Sequence, residues 1–171
     1  MSLEVKESEV IVRAPLKMSK KQIESFVSKN EEWTKKKLAV SEKQSNTAQK
    51  LGHLSEDEIN ALFDRACEYI PKRVEMYAEI IGVDYGKITI KNQRTRWGSC
   101  TKDGNLNFNC LLMLTPPEVI DSVVVHELCH RKQMNHSKAF YNEVYKAYPD
   151  YDIWHKWLKD NGSIIMKRCF E

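Results

Sequence analysis

The feature that most constrains this chain is the run His126-Glu127-Leu128-Cys129-His130, preceded by Val123-Val124-Val125 and followed six residues later by His136. Residues four apart on an α-helix share a face, one turn above the other. His126 and His130 can therefore aim both imidazoles at one point. Glu127, one residue on, stands beside that point rather than on it, which suits a carboxylate that acts on a metal-bound water instead of occupying a coordination position. Histidine is scarce, with five in 171 residues. A chance H-E-x-x-H would then arise in on the order of one such chain in a hundred.

A catalytic zinc site takes three protein ligands and keeps a fourth position open. His136 is the candidate third ligand. A continuing helix would carry it away from the pair, whereas a chain that leaves the helix after Lys132 and turns back could bring it over the metal. Metzincins use the same His-to-His spacing with a glycine at the turn, where this chain has Gln133. The helix itself is expected from about Pro116 to Lys132, opened by Thr115 with Glu118 as a capping box. Val119, Ile120, Val123, Val124 and Leu128 give it a broad apolar face.

The remaining elements follow from periodicity and turn signals. Val10 to Pro15 reads as a short strand. Ser19 with Gln22 opens a helix expected to run to about Lys37, and the polar stretch from Ser41 to Lys50 reads as a linker. A second helix starts at Ser55-Glu56-Asp57-Glu58 and carries apolar residues at helical spacing to Gly82, with a kink or break expected at Pro71. Lys87 to Lys91 has strand alternation. Arg94–Cys100 and Asn105–Leu111 read as an antiparallel pair joined through Asp103-Gly104. Asn107 and Asn109 would share one strand face. That face is either plainly exposed or lies by a substrate. After Ser137 comes another helix, ended by Pro149, then a short helix from about Ile153 to Leu158 that stops at Asn161-Gly162, with Ile164-Ile165-Met166 as an extended or partly buried tail.

With 42% hydrophobic and 30% charged residues, the chain fits one globular domain, here residues 51–171, preceded by a strand-helix extension and linker over residues 1–50. No apolar run is long enough to span a bilayer, and the N-terminus lacks an apolar signal core, so a cytoplasmic protein without membrane association is expected. The five cysteines are odd in number and contain no C-x-x-C pair, against a disulfide framework or zinc ribbon. A net charge of +3 gives nucleic-acid binding only weak support. Nothing in the sequence signals an oligomeric state.

Trp97-Gly98-Ser99-Cys100, the hairpin with Asn107, Pro117-Glu118-Val119-Ile120-Asp121, the H-E-x-x-H run, Asn135-His136-Ser137, Phe140 and Pro149-Asp150-Tyr151 together resemble the YgjP-like metallopeptidase family, which is zincin-like and related to SprT-like and M48-type peptidases. The resemblance implies an α+β, zincin-like fold: a small, twisted, mostly antiparallel sheet, the motif helix beneath it, surrounding helices and a cleft between. It also implies one zinc ion per chain at His126, His130 and His136, with Glu127 as general base. The expected activity is cleavage of peptide bonds in a peptide or protein substrate by a zinc-activated water. Trp97, Asn107, Asn109 and Tyr141 are the candidate substrate contacts, and the strand from Asn105 to Cys110 is the candidate edge for an added peptide strand. Tyr141, Tyr145, Arg96 and His155 are candidate oxyanion donors. Two other readings compete: a non-catalytic zinc-containing binding or adaptor module, which a fourth protein ligand such as His155 or a cysteine would favour, and a SprT-like protease acting on DNA-bound proteins.

Overall fold

The computed structural model describes residues 1–6 and 9–170. These fall into two compact units, Met1–Gly52 and His53–Glu171. No helix among the described residues is long and apolar enough to cross a membrane.

In the first unit, β1 (Ser2–Lys6) and β2 (Glu9–Arg13) pair antiparallel, with Ser2 opposite Arg13. Helix α1 (Lys20–Lys29) opens with the expected capping box: the Ser19 hydroxyl accepts from the Gln22 amide and the Gln22 side chain accepts from the Ser19 amide. It does not run on to Lys37. Asn30 interrupts it, its side chain donating to the Phe26 carbonyl, and α2 (Glu31–Leu51) follows. The expected linker from Ser41 to Lys50 is thus helical. The stretch is poor in large apolar residues but rich in intrinsic helix formers such as Glu42, Lys43, Gln44 and Gln49, and its Ala48 is buried.

The second unit contains α3 (Glu56–Ile81), β3 (Ile88–Lys91), β4 (Gly98–Cys100), β5 (Leu106–Asn109), a 3-10 turn over Cys110–Leu114, α4 (Pro117–Cys129), α5 (Lys138–Ala147) and α6 (Tyr151–Phe170). Ser55 and Glu58 form the expected capping box for α3. Pro71 lies within this helix without ending it. A proline in a helix interior costs about 3 kcal/mol through its missing N–H and its clash with the preceding turn. Here Ile70 and Val74 on either side are wholly buried, and that burial holds the helix through the proline. Replacing Pro71 with alanine is expected to stabilise the fold by about 2 kcal/mol, the helical gain less the unfolded-state entropy that proline removes. Denaturant midpoints of the two proteins would show it.

The three-stranded sheet has the order β3-β5-β4. β4 and β5 form the expected antiparallel pair, with Gly98 opposite Phe108 and Gly104 at φ 83° in the turn. β3 runs parallel to β5, so this sheet is mixed rather than mostly antiparallel. β5 is consequently the central strand, and the expectation that Asn105 to Cys110 forms a peptide-binding edge is corrected. The edges are β3 and β4. Leu106 and Phe108 of β5 are buried in the core.

Helix α4 lies in the middle of this unit, packed by α3, α5, α6, β4 and the 3-10 turn. Ten of its thirteen residues are buried, the signature of a helix covered on all sides. Its expected capping box is absent: the Thr115 hydroxyl donates to the Leu112 carbonyl at 2.8 Å, and Pro116 takes the N-cap position. The Asp121 carboxylate anchors α4 to α3 instead. Arg73 donates to it through Nε at 2.7 Å and Nη2 at 2.6 Å, and the Tyr77 hydroxyl donates at 3.2 Å. Removing one partner of such a pair strands the other charge. Asp121→Ala is therefore expected to cost about 3–5 kcal/mol, read as a lowered unfolding midpoint in denaturant.

Helix α6 is one continuous helix, not a short helix followed by an extended tail. Gly162, read as a stop, is a notch: a Cβ there would lie 2.9 Å from Cζ2 of Trp97. The indole of Trp97 packs into the space the glycine leaves.

Candidate active site

Helix α4 carries His126 and Glu127 directly, and His130 caps its end with near-helical dihedrals of φ −62° and ψ −19°. The helix stops at Cys129, three residues before the expected end at Lys132. The chain then turns tightly, with the Arg131 amide donating to Leu128 O and the Lys132 and Gln133 amides to Cys129 O. Ser137 caps α5 by accepting from the Phe140 amide. Lys132 and Glu143 form an ion pair at 2.9 Å that ties the turn to α5.

This return brings His136 back over the pair. Its Nε2 lies 2.9 Å from Nε2 of His126, and the three ring centroids are 4.8–5.0 Å apart. One ligand atom from each of His126, His130 and His136 falls within 4.8 Å of the others. Zinc–nitrogen bonds of 2.0–2.1 Å in a tetrahedron place ligand atoms about 3.3 Å apart, so these rings need only small adjustments to share an ion. Phe140, wholly buried, forms an apolar floor with its centroid 4.9, 4.7 and 5.0 Å from those of His126, His130 and His136.

The far side of each ring matters as much. His130 Nδ1 lies 3.1 Å from the Gln133 carbonyl oxygen. A carbonyl only accepts, so the proton sits on Nδ1 and Nε2 is free to ligate. His126 Nδ1 lies 2.8 Å from the Tyr151 hydroxyl. Burial, with help from the neighbouring His130 and His136 rings, pushes the His126 pKa down to about 3, and burial lowers His130 as well. Both rings are thereby held neutral, the form in which imidazole binds a metal.

Glu127 is 7% exposed and lies against β4. A Cβ on Gly98 would lie 2.7 Å from its Oε1 and 2.8 Å from its Cγ, so the carboxylate occupies room that only glycine leaves open. Burial pushes its pKa up to about 7, opposed by a hydrogen bond from the Cys100 backbone amide and by the Arg96 charge. A carboxyl with that affinity for protons near neutral pH is suited to general-base work.

The family model described as YgjP-like, metallopeptidase domain matches residues 1–67 and 53–161. The chain belongs to this family. No curated protein matches the sequence. Two solved structures are similar in part, the metallopeptidase zymogens of Pyrococcus abyssi abylysin and Methanocaldococcus jannaschii jannalysin. Each is 22% identical with a TM-score of 0.47, covering 53% of this chain and 92% or 93% of its own.

In this YgjP-like domain the four candidate substrate contacts separate. Tyr141 stands by the histidines, its ring centroid 6.4 Å from that of His136 and stacked on Tyr145 at 6.1 Å. The Trp97 indole turns to Gly162 and fastens β4 to α6. Asn107 donates across the strand pair to the Ser99 hydroxyl at 3.2 Å. Asn109 is 1% exposed and its amide is committed within the chain, donating to Gln93 O and Arg96 O and accepting from the Leu111 amide. It shapes the loop before β4 and opens the 3-10 turn, which corrects its reading as a substrate contact. Among the oxyanion candidates, the Arg96 charge acts on Glu127, Tyr145 donates to Asp152, and His155 lies behind the site against Tyr151. Neither Tyr151 nor the Gln133 carbonyl has a signature in the sequence; the one hint is that an imidazole offered to a metal needs a partner for its second nitrogen.

Proposed function

We propose that this YgjP-like domain is a zinc-dependent peptidase that hydrolyses peptide bonds. His126, His130 and His136 hold one zinc ion and Glu127 is the general base. The convergence of three imidazoles, next to a buried carboxylate that is not one of them, carries this reading. Among the described residues the cluster has three ligands, the number used by catalytic rather than structural zinc sites. That favours the peptidase over the adaptor module.

Zinc bound there would polarise the scissile carbonyl and acidify a water. Glu127 takes the water's proton and passes it to the leaving amine.

The peptide is proposed to lie along β4. The Asn109 amide donates to Trp97 O and the Thr101 amide to Asn105 O. Backbone groups of alternate residues point to opposite sides of a strand, so Gly98 presents its amide and carbonyl, and Cys100 its carbonyl, away from β5, the Cys100 amide being engaged by Glu127. A peptide in strand conformation could add to that edge, beside Glu127.

The test is digestion of casein by zinc-loaded protein, by protein stripped with a chelator, and by stripped protein given zinc again. Cleavage should vanish on stripping and return with zinc. Cleavage that ignores the chelator, or a protein that takes up no zinc, contradicts the proposal.

A further inference from the structure

We propose that Tyr151 and His155 form a positioning relay behind the metal site, which selects the nitrogen that His126 offers to the ion. The inference rests on the zinc reading of His126, His130 and His136. Tyr151 opens α6 and is 1% exposed. His155, four residues on, lies on the same face of that helix. The Tyr151 ring lies nearly parallel to both histidine rings, its centroid 6.0 Å from that of His126 at 17° and 5.1 Å from that of His155 at 20°. Its hydroxyl lies 2.8 Å from His126 Nδ1 and 3.1 Å from His155 Nδ1.

A tyrosine hydroxyl has one proton to give. Of its two ring-nitrogen neighbours, it donates to one and accepts from the other, which leaves two polarities. If Tyr151 donates to His126, the proton of the neutral His126 ring lies on Nε2. That nitrogen faces His136 Nε2 at 2.9 Å, and a proton there blocks ligation. If His126 Nδ1–H donates to Tyr151, the hydroxyl proton goes to His155 Nδ1 and the His126 Nε2 lone pair is free. Only the second polarity is compatible with an ion shared by the three rings, and it needs an acceptor at His155. His130 needs no such device, because the Gln133 carbonyl cannot donate. The His126 ligand is therefore set by a side-chain relay where His130 is set by the backbone.

The test is zinc affinity of the full chain, by competition with a chelating dye, for wild type, Tyr151→Phe, His155→Ala, His155→Asn and the Tyr151→Phe/His155→Ala double variant. Tyr151→Phe keeps the stacked ring and loses only the hydroxyl. It should melt close to wild type without metal, bind zinc about 10–100-fold more weakly, and shift the visible absorption of the cobalt-loaded protein. His155→Ala should weaken binding by a smaller factor, since water can replace the acceptor. His155→Asn, whose amide oxygen can stand in for Nδ1, should restore it. The double variant should bind no more weakly than Tyr151→Phe alone, because His155 acts through the hydroxyl. Tyr151→Phe binding within about twofold of wild type, or effects that multiply in the double variant, would overturn the relay. Should Tyr151→Phe fail to fold, the exposed His155 pair decides: equal affinities for His155→Ala and His155→Asn overturn it. A wild-type chain that binds no zinc overturns the metal site itself, and the relay with it.

Discussion

Glu127→Gln is expected to lower peptide cleavage by the zinc-loaded protein by about 10²–10⁴-fold, the range for loss of a positioned acid–base group. Zinc affinity should stay within a few-fold of wild type. The two expectations separate because Glu127 is not among the converging ligands. Glutamine matches glutamate in size and can still accept from the Cys100 amide, so the packing against β4 survives. What is lost is the capacity to take a proton from water. Steady-state cleavage of a fluorogenic peptide, alongside zinc content, reads both. Retained zinc with unchanged cleavage would remove Glu127 from the mechanism.

Gly98→Ala should act on the same group from the opposite side. The added methyl would meet Glu127 Oε1 at 2.7 Å and Cγ at 2.8 Å, well inside van der Waals contact. Neither neighbour yields easily, because Glu127 is buried on the central helix and β4 is held by β5 and by Trp97 in the Gly162 notch. A shift of about 1 Å in the base is enough to cost about 10²-fold in turnover. Overpacking should also cost about 1–3 kcal/mol of stability. The three histidines lie outside the clash, so zinc binding should persist. A Gly98→Ala protein that cleaves peptide at the wild-type rate would show that the base does not depend on this seat.

The convergence of the three histidines was legible because its geometry is local. His126 and His130 are fixed by helical periodicity alone, and His136 follows within one turn and a helix cap at Ser137. The hairpin was legible through Asp103-Gly104, and α3 through its acidic capping box. Misreadings arose where distant packing outweighs a local signal. Pro71 fails to break α3 because Ile70 and Val74 are buried against other elements. Gly162 fails to end α6 because Trp97, far away in sequence, fills its notch. Asn109 looked available to a substrate because a strand pattern shows only which face a residue occupies; the Gln93 and Arg96 carbonyls that engage it belong to a loop with no periodicity. β5 read as an edge because β3 joins it in parallel from across a loop, and parallel pairing leaves no turn signature. Tyr151 was invisible for the same reason, since its hydroxyl reaches His126 across two helices.

Zinc binding by this domain depends on His136 returning from the loop to complete the cluster. Calorimetric titration of metal-free wild type and His136→Ala with zinc tests this most directly. Wild type should bind one zinc per chain, and His136→Ala should bind it orders of magnitude more weakly. A His136→Ala protein that takes up zinc with the wild-type stoichiometry and affinity would contradict it.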